Sequence, residues 1–128
     1  MIYVTILLVA IALNISHKKN LLLTLVVGLS GLIPMHMVTE YYTWWAICLG
    51  FELFKIFLCL TIVTRLTYPL LFINGLMFAC HMSLFLTTNW QPHTIIIPVL
   101  EHIEVFSCVL FSVPLLVYLK RKFKCHKI

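Results

Sequence analysis

The chain has 128 residues, of which 62% are hydrophobic and only 10% are charged, and its mean hydropathy is +1.08. This length fits a single domain, but the composition leaves too little polar surface to keep a soluble domain of that size in solution. The net charge of +5 does not indicate nucleic-acid binding, because no basic face interleaved with aromatic residues exists. An integral membrane protein is the class that remains.

Five apolar segments follow one another along the chain, separated by connections of only a few residues. Apolar runs of about 20 residues are typical of transmembrane helices, and short connections force neighbouring helices to lie antiparallel. The sequence therefore predicts an all-α bundle of five transmembrane helices in one domain. The predicted spans are residues 1–16, 21–38, 43–63, 67–88 and 94–119, followed by a basic tail at 120–128.

The first segment is slightly short, since its 16 residues make roughly 24 Å of helix. It allows an alternative with four spans, in which this segment lies on the membrane surface or merges with the second span.

Positive charges predict the orientation of the bundle, because Lys and Arg are enriched in cytoplasmic connections. A cytoplasmic C-terminal tail also places Lys18, Lys19 and Arg65 in the cytoplasm and leaves the N-terminus outside. Eight of the nine basic residues then face the cytoplasm, and the ninth, Lys55, lies within the third span. We therefore expect a multi-pass protein of a bacterial-type inner membrane.

No sequence motif indicates catalysis. The five cysteines are odd in number and contain no CxxC pair, so that neither a disulfide framework nor a thiolate metal site is predicted. The chain has no Asp for a Ser-His-Asp triad, and the glycines at 28–31 are not followed by the Lys-Ser/Thr ending of a phosphate-binding loop. The expectation is a protein that is not an enzyme.

Six acidic, basic or histidine residues lie deep within the predicted spans, where an unpaired charge is expensive. Glu52 and Lys55 are three residues apart on one helix, a spacing that predicts an ion pair between them. Glu101 and Glu104 likewise share one face of the fifth span. We expect these faces to form a polar chamber in the outer half of the membrane, used for partner contact or as an ion path. Its residues are Glu52, Lys55, His81, Glu101, His102 and Glu104.

These charges have structural interpretations beside functional ones. The Glu52–Lys55 pair either neutralises itself and fixes helix packing, or docks on another subunit, or leaves Glu52 to serve a proton or cation path. Glu101 and Glu104 are protonated, or face water or a basic partner, or contribute to a cation site. Each of these alternatives remains open from the sequence.

His81 and His102 stand at comparable depth on neighbouring spans. Paired histidines of this kind are the usual arrangement for haem b in a membrane, and imidazoles with carboxylates also suit a divalent transition metal. A single membrane histidine is more often a hydrogen-bonded packing residue, and the sequence has no HExxH or ExxH signature. We therefore expect no cofactor and no metal, with haem b at His81 and His102 as the weak alternative.

Small residues at helical spacing indicate where two helices can approach closely. Pairs at a spacing of four occur in the third and fourth spans, and two glycines precede a proline in the second. The predicted packing positions are Gly28, Gly31, Ala46, Gly50, Gly75 and Ala79.

The leading functional hypothesis is a non-catalytic subunit or partner of a larger membrane complex, packed through its intramembrane charges and small-residue helix faces. The alternatives are a proton or cation conduit, a haem b-binding redox anchor, and a phage- or plasmid-type membrane effector such as a holin, an exclusion protein or an immunity protein. The last is an analogy of size and architecture. The expected partners are membrane lipids and other membrane protein subunits or further copies of the chain, without nucleic acid.

Overall fold

The computed structural model describes the backbone of residues 2–37, 41–87 and 91–126, and the side chains of residues 2–34, 43–83 and 95–124. All regular structure in these ranges is helical, which agrees with the all-α prediction. The helices, in chain order, are α1 (Ile2–Asn14), α2 (Lys18–Met37), α3 (Tyr41–Thr61), α4 (Thr67–Thr87), α5 (Gln91–Leu110) and α6 (Val113–His126).

Short-range hydrogen bonds hold the connections that lead into α2 and α4. The carbonyl of His17 accepts the first bond of α2 from the Leu21 N–H at 2.8 Å. At the start of α4, the Thr67 hydroxyl accepts a bond of 2.9 Å from the Thr64 N–H and donates one of 2.7 Å to the Ile62 carbonyl. These side-chain and backbone caps make both connections short and well defined.

The predicted fifth span, residues 94–119, is not one helix. It is divided into α5 and α6, which are bent by 64° relative to one another. Pro114 has no N–H to continue the helical ladder, and the Ser112 carbonyl instead accepts the first bond of α6 from the Leu116 N–H at 3.0 Å. The predicted span followed apolar character through this break, whereas the structure divides the segment into two helices.

Five helices form a closed ring in which each of α1 to α5 packs against the next and α5 packs back against α1. α2 and α5 also touch across the middle of the ring, and α6 packs against α1 and α5. The connections α1–α2, α3–α4 and α5–α6 lie together at one end, because residues of all three line one cleft there. We call this end the basic end, after Lys18, Lys19, Arg65 and Lys120 in that cleft.

Among the described residues, one helix is both long and apolar enough to cross a membrane by itself, over Thr43–Thr61 of α3. The bent pair of α5 and α6 adds a second crossing if it is counted as one span. A core helix of a soluble protein can pass the same test when it is mostly buried, but only 22% of the α3 span is buried. One or two helices can therefore cross a membrane, and the predicted five-span, multi-pass bundle is not supported by this criterion.

The exterior of the described residues is strongly apolar, while the interior mixes hydrophobic with polar side chains. In the described part of the chain, 11 polar or charged residues are buried beside 13 hydrophobic ones, while 26 large hydrophobic residues are exposed. Charged residues are almost never fully buried in water-soluble domains unless they are paired. The buried polar groups are the feature from which a candidate site is built.

Candidate functional site

The first buried ion pair joins α3 to α5. The Nζ atom of Lys55 lies 2.8 Å from Oε1 of Glu104, and the two side chains are 7% and 2% exposed. Bulk water does not solvate either group at this burial. Each charge is therefore stabilised mainly by the opposite charge of its partner. Such a pair positions two helices with little net gain in stability, whereas the loss of one partner leaves an uncompensated buried charge.

The second pair joins α3 to α4. Nδ1 of His81 lies 2.6 Å from Oε1 of Glu52 and 2.9 Å from the carbonyl oxygen of Met77. Because both neighbours of Nδ1 are hydrogen-bond acceptors, this nitrogen carries a hydrogen. The carbonyl of His81 in turn accepts a bond of 3.0 Å from Nε1 of Trp45. His81 therefore connects α4 to α3 twice, through its imidazole and through its backbone carbonyl.

These pairs replace the Glu52–Lys55 ion pair that the sequence predicts within α3. Both side chains do lie inside the bundle, as their spacing of three residues requires for residues on one face. The spacing alone does not determine which residue each side chain pairs with, because His81 on α4 and Glu104 on α5 are also within reach. The long side chain of Lys55 reaches across the ring to Glu104, and Glu52 turns to His81.

A small cavity lies beside the two pairs, with a volume of about 20 Å³. This is room for about one water molecule. Its walls include all three carboxyl groups of the described residues and the ammonium group of Lys55. We call these wall residues the charged layer: Glu52, Lys55, His81, Glu101 and Glu104.

Two acceptors in the charged layer have no hydrogen-bond partner among the described residues. They are Oε2 of Glu52 and Oε2 of Glu104, both buried. Glu101, which is half-buried, faces the same cavity. Three carboxyl groups against one ammonium and one imidazole leave an excess of acidic groups, so the layer can hold a water molecule, a proton or a small cation.

The structure does not bring His102 into the charged layer. Its side chain is exposed, its Nδ1 lies 2.7 Å from the carbonyl oxygen of Pro98, and its ring stands edge-on to Tyr3 at 5.7 Å. His81 is buried, and the centre of its ring is 6.0 Å from that of Trp44. Of these two imidazoles, the structure therefore places only that of His81 at the cavity.

Within the side chains that the structure describes, no group of three or more His, Cys, Asp or Glu could hold a metal ion. The sequence alternatives of a haem or a transition metal therefore gain no support from the arrangement of these residues.

The six small residues fall into two classes. Gly28 and Gly31 face α1, where an added methyl group would meet Leu7 at 2.7 Å in the first case and the ring of Tyr3 in the second. Their lack of a side chain is what lets α1 and α2 approach. Gly50 of α3 and Gly75 of α4 have nothing within 4 Å of such a methyl group. Ala46 and Ala79, their partners in the predicted pairs, are likewise exposed.

Sequence reasoning missed the buried asparagines. The side-chain amide of Asn14 is fully buried and donates to the carbonyl of Ala10 at 2.8 Å and to that of Cys108 at 3.1 Å. It thereby connects α1 to α5. Asn74 is equally buried and donates to the carbonyl of Leu70 at 2.7 Å. An uncharged amide inside an apolar run was the available signal, and it points to the same inward face as the charges.

Comparison with known proteins does not assign the chain to a family: no family model matches it, and no significant match was found among curated proteins or solved structures.

Proposed function

We propose that the chain is a small, non-catalytic integral membrane protein that serves as a subunit or partner of a larger membrane assembly. The observation that supports this proposal is the apolar exterior, with 26 large hydrophobic residues exposed, together with charges and amides that are buried among hydrophobic side chains. An apolar surface of this extent is compatible with lipid tails and unfavourable in water. The buried charged residues are paired within the chain. The bundle therefore needs no outside group to compensate them in lipid.

The proposed arrangement places α1 to α5 in the bilayer as a multi-pass bundle. α2, α3, α4 and α5 each have 20 or 21 residues, which is about 30 Å of helix and matches the thickness of a hydrocarbon core. α1 has 13 residues and is shorter, but Leu7 and Ala10 are buried in the bundle, which favours five helices over the four-span alternative.

The basic end faces the cytoplasm in this arrangement, as the enrichment of Lys and Arg in cytoplasmic connections requires. The N-terminal end of α1 is then outside. α6 leaves the bundle at the basic end and carries Lys120, Arg121, Lys122 and Lys124. A helix that combines apolar and cationic residues in this way is suited to the interface between lipid and cytoplasm.

The proposed docking surface for the partner is the outward face of α3 and α4. Ala46 and Gly50 on α3, and Gly75 and Ala79 on α4, are exposed, and the two glycines are uncovered. Small residues at this spacing let a helix of another chain approach closely in a membrane. Glu52, Lys55 and Glu104 are already paired inside the chain, so they do not provide the docking contacts in this proposal.

Size measurement after mild detergent extraction from the native membrane tests the proposal. We expect the wild-type chain to elute in an assembly well above the 14.9 kDa of one copy, and the double variant Gly50→Leu/Gly75→Leu to elute alone. The matched control Leu60→Phe adds bulk at another exposed position of α3 and should leave the assembly intact. A wild-type chain that elutes as a monomer contradicts the proposal.

A second candidate, a proton or cation conduit, is favoured by the cavity in the charged layer. Carboxyl and imidazole groups that line one small polar cavity can pass a proton between neighbours through a single water molecule. Flux assays in liposomes that contain the purified chain distinguish this function. We expect Glu52→Gln to abolish flux and Lys122→Gln, on the exposed side of α6, to leave it unchanged. Flux no higher than that of empty liposomes excludes the conduit.

A further inference from the structure

A second and larger cavity, of about 490 Å³, lies at the basic end. We call it the basic cleft. It exists because α6 is bent by 64° away from the direction of α5, which leaves space between α6, the first turn of α2 and the α3–α4 connection. Cavities in this range of volume are typical of small-molecule binding sites.

One wall of the basic cleft is apolar. Val113, Leu116 and Val117 line it, and their spacing places them on one face of α6. Phe111, at the bend, extends the same wall. A continuous apolar wall along a helix is suited to hydrocarbon and gives no hydrogen bonds to a small polar solute.

The charged lining of the basic cleft is cationic. Lys18 and Lys19 come from the first turn of α2, Arg65 comes from the α3–α4 connection, and Lys120 continues the face of α6. No acidic residue lines the cleft, since the three carboxyl groups of the described residues are held in the charged layer. The side-chain charges and the N-terminal dipole of α2 therefore combine to attract an anion.

Two residues that line the cleft each have a buried polar atom without a partner. Nδ1 of His17 and Oδ1 of Asn20 are buried and make no hydrogen bond to any described residue. Asn20 is only 4% exposed, and its amide nitrogen makes one long bond, of 3.5 Å, to the carbonyl of Phe111. Unpaired buried polar atoms of this kind are costly unless a ligand or a water molecule occupies the site.

We propose that the basic cleft binds an anionic phospholipid of the cytoplasmic leaflet. An acyl chain lies against the apolar wall of α6, and the headgroup phosphate lies among Lys18, Lys19 and Arg65. A lipid is the occupant because the cleft joins hydrocarbon chemistry to anion chemistry at the end of the bundle where membrane and cytoplasm meet. A soluble phosphate would use the cations alone. This inference rests on the membrane location in the proposed function.

Native mass spectrometry of the full chain tests the proposal, after extraction from vesicles of phosphatidylglycerol and phosphatidylcholine in equal amounts. We expect the wild type to retain phosphatidylglycerol. The variant Lys18→Gln/Lys19→Gln should bind it about 30-fold more weakly, because each cation near an anionic lipid surface contributes about one kcal/mol. The matched control Lys122→Gln/Lys124→Gln removes the same charge from exposed positions outside the cleft and should retain the lipid.

A second variant and a soluble competitor test whether the apolar wall contributes to lipid binding. Leu116→Trp fills the cleft without altering any charge and should also abolish retention. Glycerol phosphate, which has no acyl chain, should not displace the bound lipid. Equal weakening by both pairs of lysine substitutions, or displacement by glycerol phosphate, overturns the proposal.

The membrane fraction separates this inference from the proposed function. A chain that is recovered from the soluble fraction overturns both. A chain that is recovered in membranes but binds the two phospholipids equally overturns only the lipid site.

Discussion

In the charged layer the Lys55 ammonium and the His81 imidazole lie within 3 Å of a carboxyl group. The four cations of the basic cleft face no carboxyl group of the residues that the structure describes. The first arrangement is closed and about 20 Å³ in volume, while the second is wide and about 490 Å³. Burial explains the difference, because a charge inside a bundle needs a partner from its own chain. A charge at the end of the bundle can instead take its partner from another molecule.

The largest expected effect follows from breaking the pair between α3 and α5. We expect Lys55→Ala to lower the free energy of unfolding by about 3–5 kcal/mol, measured by titration with a denaturing detergent, because Glu104 is then buried without its cation. Lys122→Ala, at an exposed position of α6, should change it by less than about 0.5 kcal/mol.

A double variant separates loss of charge from loss of packing. Lys55→Met combined with Glu104→Leu removes both charges and retains apolar volume, so it should recover most of the lost stability. A double variant as unstable as Lys55→Ala would show that the pair acts through packing alone.

A second comparison concerns the inner and outer glycines. Gly31→Leu should lower the free energy of unfolding by up to about 3 kcal/mol, since an added side chain collides with Tyr3. Gly75→Leu enters open space and should cost less than about 0.5 kcal/mol. The same detergent titration measures both, and equal losses would mean that α1 does not pack against α2 as described.

Substitutions of two asparagines compare the closed interior with the open cleft through their effect on the free energy of unfolding. Asn14→Ala removes bonds to two carbonyl groups and should cost about 1–2 kcal/mol in unfolding free energy. Asn20→Ala removes only the long bond to Phe111 and should cost less than about 1 kcal/mol. Added phosphatidylglycerol should stabilise the Asn14→Ala protein as it does the wild type; a cost for Asn20→Ala exceeding that for Asn14→Ala would contradict this ranking.

A small effect on stability is also expected from the bend that opens the basic cleft. Pro114→Ala restores an N–H to the chain and should straighten the α5–α6 junction, with a change of less than about 1 kcal/mol in unfolding free energy. Phosphatidylglycerol retention should nevertheless fall several-fold, because a straighter α6 no longer faces α2. Pro69→Ala, in the first turn of α4 where proline costs little, is the control and should alter neither quantity.

Much of the helical framework could be predicted from the sequence, because long apolar runs leave few alternatives to helix. The segments predicted at 21–38, 43–63 and 67–88 agree with α2, α3 and α4 to within three residues. The break before α6 could not be placed in the same way. Pro98 lies inside α5 without ending it, whereas Pro114 begins a new helix, so that the presence of proline alone does not determine where a helix stops.

The members of the charged layer could be selected from the sequence by the cost of burying charge, but their pairing could not. Glu52 had possible partners on its own helix and on two others, and spacing along one helix does not rank them. His81 and His102 were equivalent by depth. His102 follows Glu101 by one residue, and a turn of about 100° around the helix axis is enough to place one side chain at the cavity and the other outside.

The bond from Asn14 to Cys108 spans 94 positions of the chain. During synthesis the Asn14 amide of α1 leaves the ribosome before its carbonyl acceptor on α5, which is made 94 residues later. The packing of α1 through this amide is therefore incomplete until α5 has been synthesised. A chain that stops before α5 leaves the Asn14 amide without this acceptor.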